Sequence, residues 1–388
     1  MSNCGGRNRD QPDPLRIVLF GAAGFVGSHL VEHLLSSGEH RVVGVDLTDG
    51  NLVGIAGPNF VLHRADLRQA TDLIDDVVRT ADVVVDLLAY TDPGERVTAP
   101  LDIFELHFTQ NLELAKRCIK YRKRLIQYSS PEVYGKACAG ESLSENGTDA
   151  VFGPVQKPRW LYGNAKMLLE RVLCAHGVAG DLEYTIVRPF NLLGSRMDCR
   201  APANASGAQR VFPRFMSALL TGDPIRITDD GVLPAFLHIR DANLAFQALL
   251  DHPVESHNQI YNLGNPATDV TVRAVARLML ELYQELTGNP PRSEAVESKG
   301  GERHAAVEGI AQLPPDVTKL LALGWHLRHD LRAALRDAMA YSLDCTNRHP
   351  GPRGAPSRAV AELEPLRRSS AGDTADVSLP GWPLRDVS

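Results

Sequence analysis

The stretch "VLFGAAGFVGSHL" places three glycines, Gly21, Gly24 and Gly27, between a short apolar run and a segment of helical period. Glycines at a turn from strand to helix let the backbone approach a ligand closely. The N-terminus of the helix presents free N–H groups and the positive end of its dipole, which suit a pyrophosphate. The pattern therefore predicts a dinucleotide site at the start of an α/β fold.

A carboxylate at the end of the next apolar run indicates which dinucleotide binds. Asp46 ends "RVVGVD", where an acid binds the adenosine ribose hydroxyls and repels a 2′-phosphate. This favours NAD over NADP. Asp66, in "HRADL", is either a contact to the adenine or a surface aspartate that ends a strand.

The chain from residue 15 to about residue 190 alternates strand and helix. Apolar runs such as "DVVVDLLA" and "RLIQYSS" are separated by helical stretches such as "DIFELHFTQNLELAKRCIKYR". Repeated βα units form a parallel sheet that is covered on both faces. We therefore predict the α/β class, with a doubly wound parallel (Rossmann) sheet and a smaller C-terminal substrate-binding lobe.

This pattern divides the chain into four segments. We expect a disordered lead at 1–14, an NAD-binding Rossmann domain at 15–188 and a substrate-binding lobe at 189–345 that is interleaved with it. The last segment, 346–388, is rich in Pro, Arg, Ser and Gly, which predicts a disordered tail.

The composition excludes several classes of function. A net charge of −6 over 388 residues gives no electrostatic footprint for nucleic acid or an anionic membrane. No stretch is apolar for long enough to cross a bilayer, and the polar N-terminus lacks the core of a secretory signal. The six cysteines show no CxxC pair or zinc-type spacing. We therefore predict reduced thiols, no metal site and a cytoplasmic location.

The segment "RWLYGNAKMLLERV" carries Tyr162 and Lys166 four residues apart in a helical pattern, so both project from one face. A nearby ammonium lowers the pKa of a tyrosine, and the resulting phenolate can take a proton from a substrate hydroxyl. "YSSPEVYG" supplies Ser129 and Ser130 at the end of a predicted strand, where a serine can hydrogen-bond the same hydroxyl. Together these residues predict the chemical centre of an oxidoreductase.

These motifs, together with "RPFN", resemble the extended short-chain dehydrogenase/reductase (NAD-dependent epimerase/dehydratase) family. Within it, residues 15–342 are similar to enzymes acting on UDP-glucuronic acid: the decarboxylase domain of polymyxin resistance and the plant UDP-apiose/UDP-xylose synthases. The shared pieces include "KYRKRLIQYSSPEVYGK", "GPVQKPRWLYGNAK" and "LEYTIVRPFNLLGSRMD". The resemblance implies a homodimer paired through the helices containing 105–121 and 162–176.

The resemblance also implies a cycle in which C4 of a UDP-uronic acid is oxidised and carbon dioxide can then leave from C5. Tyr162 is the implied base, Lys166 lowers its pKa and Ser130 holds the hydroxyl. Glu132 matches a glutamate near the carboxylate and is either a substrate ligand or a structural cap. Arg159 and Asn191 match residues that line the sugar pocket, and Arg210 matches an arginine that binds the diphosphate. The expected NAD site comprises Gly21, Gly24, Phe25, Val26, Gly27, Asp46, Asp66, Leu67, Ala89, Tyr162 and Lys166.

The sequence departs from that pattern at three positions. Pro131 stands where the decarboxylating relatives have a serine or cysteine. Gln312, or Leu313 in a shifted alignment, replaces an arginine, and Pro234 replaces another that binds a diphosphate. An NAD-dependent 4-epimerase or 4-ketoreductase, acting without decarboxylation on a nucleotide sugar or a glycosylated natural-product intermediate, is therefore the alternative. A non-enzymatic NAD-sensing protein is a third hypothesis.

Overall fold

A computed structural model of the chain describes residues 14–90, 99–136, 142–197, 211–227, 232–233, 236–266, 270–297 and 313–348. Its main feature is a parallel sheet of seven strands in the order β3-β2-β1-β4-β5-β6-β11. These strands are β1 Arg16–Phe20, β2 Arg41–Asp46, β3 Phe60–Arg64, β4 Val83–Asp86, β5 Arg124–Tyr128, β6 Tyr184–Pro189 and β11 Gln259–Leu263.

Helices cover both faces of this sheet. The helices are α1 Phe25–Ser37, α2 Thr71–Arg79, α3 Pro100–Phe104, α4 Asn111–Tyr121, α5 Trp160–Ala179, α6 Val211–Thr221, α7 Ile239–Asp251, α8 Val272–Thr287, α9 Thr318–Ala322 and α10 Leu331–Arg348. A π-helical segment, Glu105–Gln110, joins α3 to α4, and 3-10 turns occur at Gly50–Leu52 and Pro131–Tyr134.

The apolar strands read as continuous hydrophobic runs because both of their faces are buried. Side chains alternate along a strand, so Leu19 and Ile126 pack in a core with α1 and α7. Val18 and Leu125 point the other way, into a core with α2, α4 and α5. The predicted doubly wound α/β class is confirmed.

A third core lies in the C-terminal part of the chain, where α6, α8 and α10 pack together. Phe215, Met279 and Leu335 are fully buried there. Short strand pairs accompany these helices: β10 Phe236–His238 with β7 Asn191–Leu193, β9 Val232–Leu233 with β12 Val270–Thr271, and β8 Ile225–Ile227 with β13 Ala295–Glu297. Because β11 lies beyond residue 188 yet joins the large sheet beside β6, the two parts of the chain are interleaved.

β1 and β4 pair with each other in the middle of the sheet, and the strand order reverses between them. Ligands of doubly wound proteins bind at such a point, outside the carboxyl ends of the strands. The glycine turn after β1 and the "SSPEVY" segment after β5 therefore lie at the same edge of the sheet. No helix in the described ranges is long and apolar enough to span a membrane.

Candidate active site

The glycine turn after β1 is shaped for close approach of the backbone. Gly21 has φ +80°, a left-handed conformation that favours glycine. A β-carbon on Gly27 would lie 2.2 Å from the Gly21 carbonyl oxygen, so only glycine lets α1 begin so near the strand. Gly24 is the N-cap and makes no side-chain cap bond, which leaves the first N–H groups of α1, at Phe25 and Val26, uncapped by a side chain.

Asp46 is fixed at the end of β2 beside this turn. Its Oδ2 accepts a hydrogen bond from Ala23 N at 2.8 Å and its Oδ1 accepts one from Leu47 N at 2.7 Å. Burial raises the pKa of Asp46 and these backbone donors oppose the rise. The uncapped helix start and the adjacent carboxylate fit the pyrophosphate and ribose of NAD.

The remaining predicted NAD residues lie after β3 and β4. Asp66 forms an ion pair with Arg68 at 2.6 Å, and its hydrogen bonds with Arg68 lower the pKa of Asp66. Leu67 is partly buried against the core beneath α2. Ala89 follows Leu87, whose backbone would lie 3.1 Å from a β-carbon on Gly21, so this segment borders the glycine turn. Contact of Asp66 with the adenine stays a prediction.

The turn after β5 explains why a proline is accommodated next to Ser130. Ser130 is the N-cap of the 3-10 turn Pro131–Tyr134, and its Oγ accepts a hydrogen bond from Glu132 N at 3.2 Å. Pro131 occupies the first position of the turn, where a missing N–H costs nothing and a fixed φ is favourable. Pro131 therefore fits the backbone but offers no proton to a ligand.

Tyr162 and Lys166 both project from the first two turns of α5 and are buried. The Tyr162 ring packs edge-on against His107, with 4.7 Å between ring centroids. Lys166 Nζ donates to the Tyr128 carbonyl oxygen at 3.0 Å, immediately before Ser129 and Ser130. Burial lowers the pKa of Lys166 to about 8.

Gly163, next to Tyr162, brings α5 against the serine turn. A β-carbon on Gly163 would lie 2.7 Å from the carbonyl oxygen of Glu132. The structure therefore places the start of α5 directly beside the segment Ser130–Glu132. Lys166 is bonded to the Tyr128 carbonyl at the end of β5. The predicted catalytic residues are therefore close together: Ser130, Glu132, Tyr162 and Lys166.

The predicted sugar and diphosphate residues are only partly described. Arg159 is the N-cap of α5, and its guanidinium carbon lies 4.5 Å from the centroid of the Trp160 ring. Asn191 begins β7. Leu313 packs against the cluster that contains Tyr134, near the serine turn. The residues outside the described ranges are Arg210, Pro234 and Gln312.

A buried ion pair that was not predicted from the sequence connects α5 to β6 next to these residues. Glu170, one turn after Lys166, accepts hydrogen bonds from Arg188 on β6 at 3.0 and 2.5 Å, and both side chains are buried. The Arg188 guanidinium also lies 4.7 Å from the ring centroid of Tyr134, the last residue of the serine turn. The signal available in the sequence was the repeated four-residue spacing from Tyr162 to Lys166 to Glu170.

A second missed residue is Asp86, the last residue of β4. Its side chain is fully buried, and burial raises its pKa. The signal was a charged residue inside the apolar run "VVVDLL". Among the described residues, no group of three or more His, Cys, Asp or Glu side chains could hold a metal ion.

The fold and the site define a dinucleotide-dependent α/β enzyme. The chain belongs to the NAD dependent epimerase/dehydratase family, whose sequence profile matches residues 17–264, and NAD is therefore its cofactor. The resemblance to that family is confirmed.

Two relatives extend the comparison to most of the chain. A UDP-D-apiose/UDP-D-xylose synthase of Oryza sativa subsp. japonica is 33% identical over 355 residues, covering 84% of this chain and 89% of the relative. UDP-D-apiose/UDP-D-xylose synthase 1 of Arabidopsis thaliana is also 33% identical over 355 residues, covering 84% and 91%.

Solved structures show the same fold. The PbgP3 protein of Burkholderia pseudomallei superposes with a TM-score of 0.73 at 28% identity, covering 86% of this chain and 98% of that one. MoeE5, crystallised with UDP-glucuronic acid and NAD, superposes with a TM-score of 0.65 at 24% identity, covering 85% and 99%.

Proposed function

We propose that the protein uses NAD to oxidise C4 of a UDP-linked uronic acid. The observation that supports this proposal is the close approach of Gly163, next to Tyr162, to the Glu132 carbonyl, together with the bond from Lys166 Nζ to the Tyr128 carbonyl two residues before Ser130. The similarity to UDP-apiose/UDP-xylose synthases over 84% of the chain supports a UDP-sugar as substrate.

Each side chain then has one task. Tyr162, as the phenolate, takes the proton of the C4 hydroxyl, and the Lys166 ammonium favours that phenolate. Ser130 accepts the Glu132 N–H through one lone pair, which leaves its own hydrogen free to donate to the oxygen at C4. Bound NAD supplies the hydride acceptor.

The rest of the substrate is held by charge and by hydrogen bonds. Arg159 and Asn191 line the sugar pocket, and Arg210 binds the diphosphate, for which a guanidinium is well suited. Glu132 lies in the serine turn and contacts the substrate near its carboxylate. A ketone at C4 weakens the bond from C5 to the carboxylate, so the decarboxylated sugar is the first candidate product.

One observation favours a second candidate function. Pro131 sits between Ser130 and Glu132 as the first residue of the 3-10 turn and has no proton to donate. Loss of carbon dioxide leaves an enolate that must then take a proton at C5, and residue 131 cannot supply it. In the second candidate, the 4-keto sugar keeps its carboxylate and is reduced again, which gives 4-epimerisation or 4-ketoreduction. The Tyr162, Lys166 and Ser130 set serves this reaction equally well.

We also propose that the protein is a homodimer paired through the helices on the face of the sheet that carries α4 and α5. On that face Leu101 of α3 is 79% exposed and Leu168 of α5 is 44% exposed. Exposed apolar side chains on neighbouring helices suit burial against a second copy of the chain.

The test is mass spectrometry after the purified protein is incubated with NAD and UDP-glucuronate. Loss of carbon dioxide identifies decarboxylation, an unchanged mass with a new chromatographic position identifies epimerisation, and loss of two hydrogens identifies simple oxidation. No new sugar nucleotide and no NADH would contradict the proposed substrate. The Pro131→Ser variant separates the two candidates, because a restored hydroxyl should raise the yield of carbon dioxide if decarboxylation is limited by the missing proton.

A further inference from the structure

A buried polar patch lies behind Lys166, on the face of the sheet covered by α4 and α5. Asp86 shares this face of β4 with Val84, because side chains alternate along a strand and Val84 packs in the core beneath these helices. Gln127 lies directly beside Asp86 in the register of β4 and β5. Lys166 reaches the same strand ends from α5, with Nζ bonded to the Tyr128 carbonyl.

The Asp86 carboxylate is only half satisfied by hydrogen bonds. Its Oδ1 accepts a bond from Leu88 N at 2.9 Å. Its Oδ2 is buried and has no hydrogen-bond partner among the described residues. An aspartate buried in this position stays ionised only if a positive charge compensates it. Lys166, 1% exposed, supplies that charge: burial raises the pKa of Asp86, and Lys166 lowers it.

Other titratable groups surround this pair, and one of them, Glu170, also raises the pKa of Lys166, although less than Asp86 does. They are Glu170 and Tyr162 on α5, His107 in the π-helical segment, Tyr128 on β5, Cys118 on α4 and Arg188 on β6. The Glu170 carboxylate is already bonded through both oxygens to Arg188. Burial raises the pKa of the Cys118 thiol and of Tyr128, so both stay neutral near physiological pH.

We propose that Asp86 is a positioning residue that acts through Lys166: its carboxylate is the buried counter-charge that keeps the Lys166 ammonium charged beside Tyr162. The consequence for catalysis rests on the proposed function of Tyr162 and Lys166. A neutral Lys166 would no longer favour the phenolate, so Asp86 extends the pH range over which Tyr162 works as a base. Asp86 itself does not contact the sugar.

The test is a direct titration of Lys166 by NMR of protein carrying ¹³C-labelled lysine, with the signal assigned through Lys166→Met. In the wild type we expect a midpoint at about pH 8. In Asp86→Asn, which keeps an oxygen for the Leu88 N–H, the midpoint should fall by about one pH unit, because a buried opposite charge that favours the ammonium has been removed. Asp82→Asn is the matched control: Asp82 precedes the same strand, is exposed, and accepts a hydrogen bond from Arg16 N at 2.7 Å.

A second variant and a carboxyl titration of the wild type test the proposal even if Asp86→Asn does not fold. Asp86→Ser removes the charge with a smaller side chain and should lower the midpoint in the same way. In the wild type, ¹³C NMR of the aspartate carboxyl groups should show Asp86 ionised near neutral pH, whether or not either variant folds. A protonated Asp86 there, or an unchanged Lys166 midpoint in a folded neutral variant, would overturn the proposal.

The activity readout distinguishes this inference from the proposed function. If the enzyme turns over UDP-glucuronate, the alkaline limb of kcat/KM should move to lower pH in Asp86→Asn by as much as the NMR midpoint does, and Asp82→Asn should leave it in place. An NMR shift without any turnover would contradict the proposed function while supporting the charge pair. If the NMR midpoint of Lys166 moves but the alkaline limb of kcat/KM does not, the role of Asp86 in the reaction is overturned.

Discussion

Gly163 lies against the backbone of Glu132, so closely that a β-carbon would come within 2.7 Å of the Glu132 carbonyl oxygen and 3.1 Å of the Phe152 ring. This contact couples the helix that carries Tyr162 to the turn that carries Ser130. The relative position of Tyr162 and Ser130 therefore depends on the absence of a side chain at residue 163.

Replacing Gly163 with alanine tests that coupling. In an unhindered helix the change would stabilise the protein by about 1 kcal/mol, but overpacking here should instead destabilise it by about 1–2 kcal/mol. Because Tyr162 moves away from Ser130, kcat should fall by about tenfold or more. Urea unfolding and steady-state kinetics measure the two effects. Gly57→Ala, where the nearest atoms would lie 3.9 Å away, is the control; a more stable, fully active Gly163→Ala would contradict the account.

The two adjacent serines provide a matched pair of variants. Ser130→Ala removes the cap of the 3-10 turn and the proposed donor to the substrate, so kcat should fall about a hundredfold and stability by about 1 kcal/mol. Ser129 is equally buried, but its Oγ has no hydrogen-bond partner among the described residues. Ser129→Ala should therefore keep both activity and stability. Equal losses in the two variants would show that the hydroxyl of Ser130 has no special role.

Much of this site follows from local sequence patterns. The glycine triplet and Asp46 predict the NAD site, because residues adjacent in the sequence determine the strand, the turn and the start of the helix. Tyr162 and Lys166 are predicted from their four-residue helical spacing together with the serines at the end of the preceding strand. The family assignment and the doubly wound fold are confirmed.

The remaining features depend on how distant elements dock. The sequence shows Gly163 as an ordinary helix glycine, and only the packing of α5 on the serine turn gives it a function. In the sequence Asp86 looks like the polar end of a strand, and only the packing of the helices on the sheet shows that it is buried. Pro131 stood out as a departure from the relatives, and the structure shows in addition that it suits the first position of its turn.

Acid should destabilise the protein through His238. Burial, and then the charge of the stacked His329, lower the pKa of His238 to about 4 from 6.5. Because the unfolded chain binds this proton at a higher pH than the folded protein does, stability should fall as the pH drops from about 6.5 through about 4. Urea unfolding at several pH values measures the slope.

A variant at His238 isolates this contribution. Asn at 238 can still cap α7 by accepting the Arg240 N–H that now bonds His238 Nδ1 at 3.0 Å. His238→Asn should lose less stability in acid than the wild type, although His29, whose pKa burial also lowers, keeps part of the slope. His257→Asn, at an exposed histidine, is the control. An unchanged slope in His238→Asn would contradict the assignment.

The proposed homodimer is tested at Leu168. A glutamate there places a charge among the exposed apolar side chains of the proposed interface, so Leu168→Glu should sediment as a monomer at concentrations where the wild type sediments as a dimer. Val254→Glu adds the same charge at an exposed position after α7 and should leave the dimer intact. A monomeric wild type, or a dimeric Leu168→Glu, would contradict pairing through α5.

We propose that Tyr162 is the base for oxidation at C4, with NAD as hydride acceptor. The most direct test uses UDP-glucuronate deuterated at C4, mixed with stoichiometric enzyme and NAD, quenched in cold alkali within one turnover because reduced dinucleotide survives base but not acid, and analysed by mass spectrometry of the reduced dinucleotide. We expect reduced dinucleotide that carries the deuterium in the wild type, and none in a folded Tyr162→Phe. Reduced dinucleotide without deuterium, no reduction in the wild type, or equal reduction in Tyr162→Phe would contradict it.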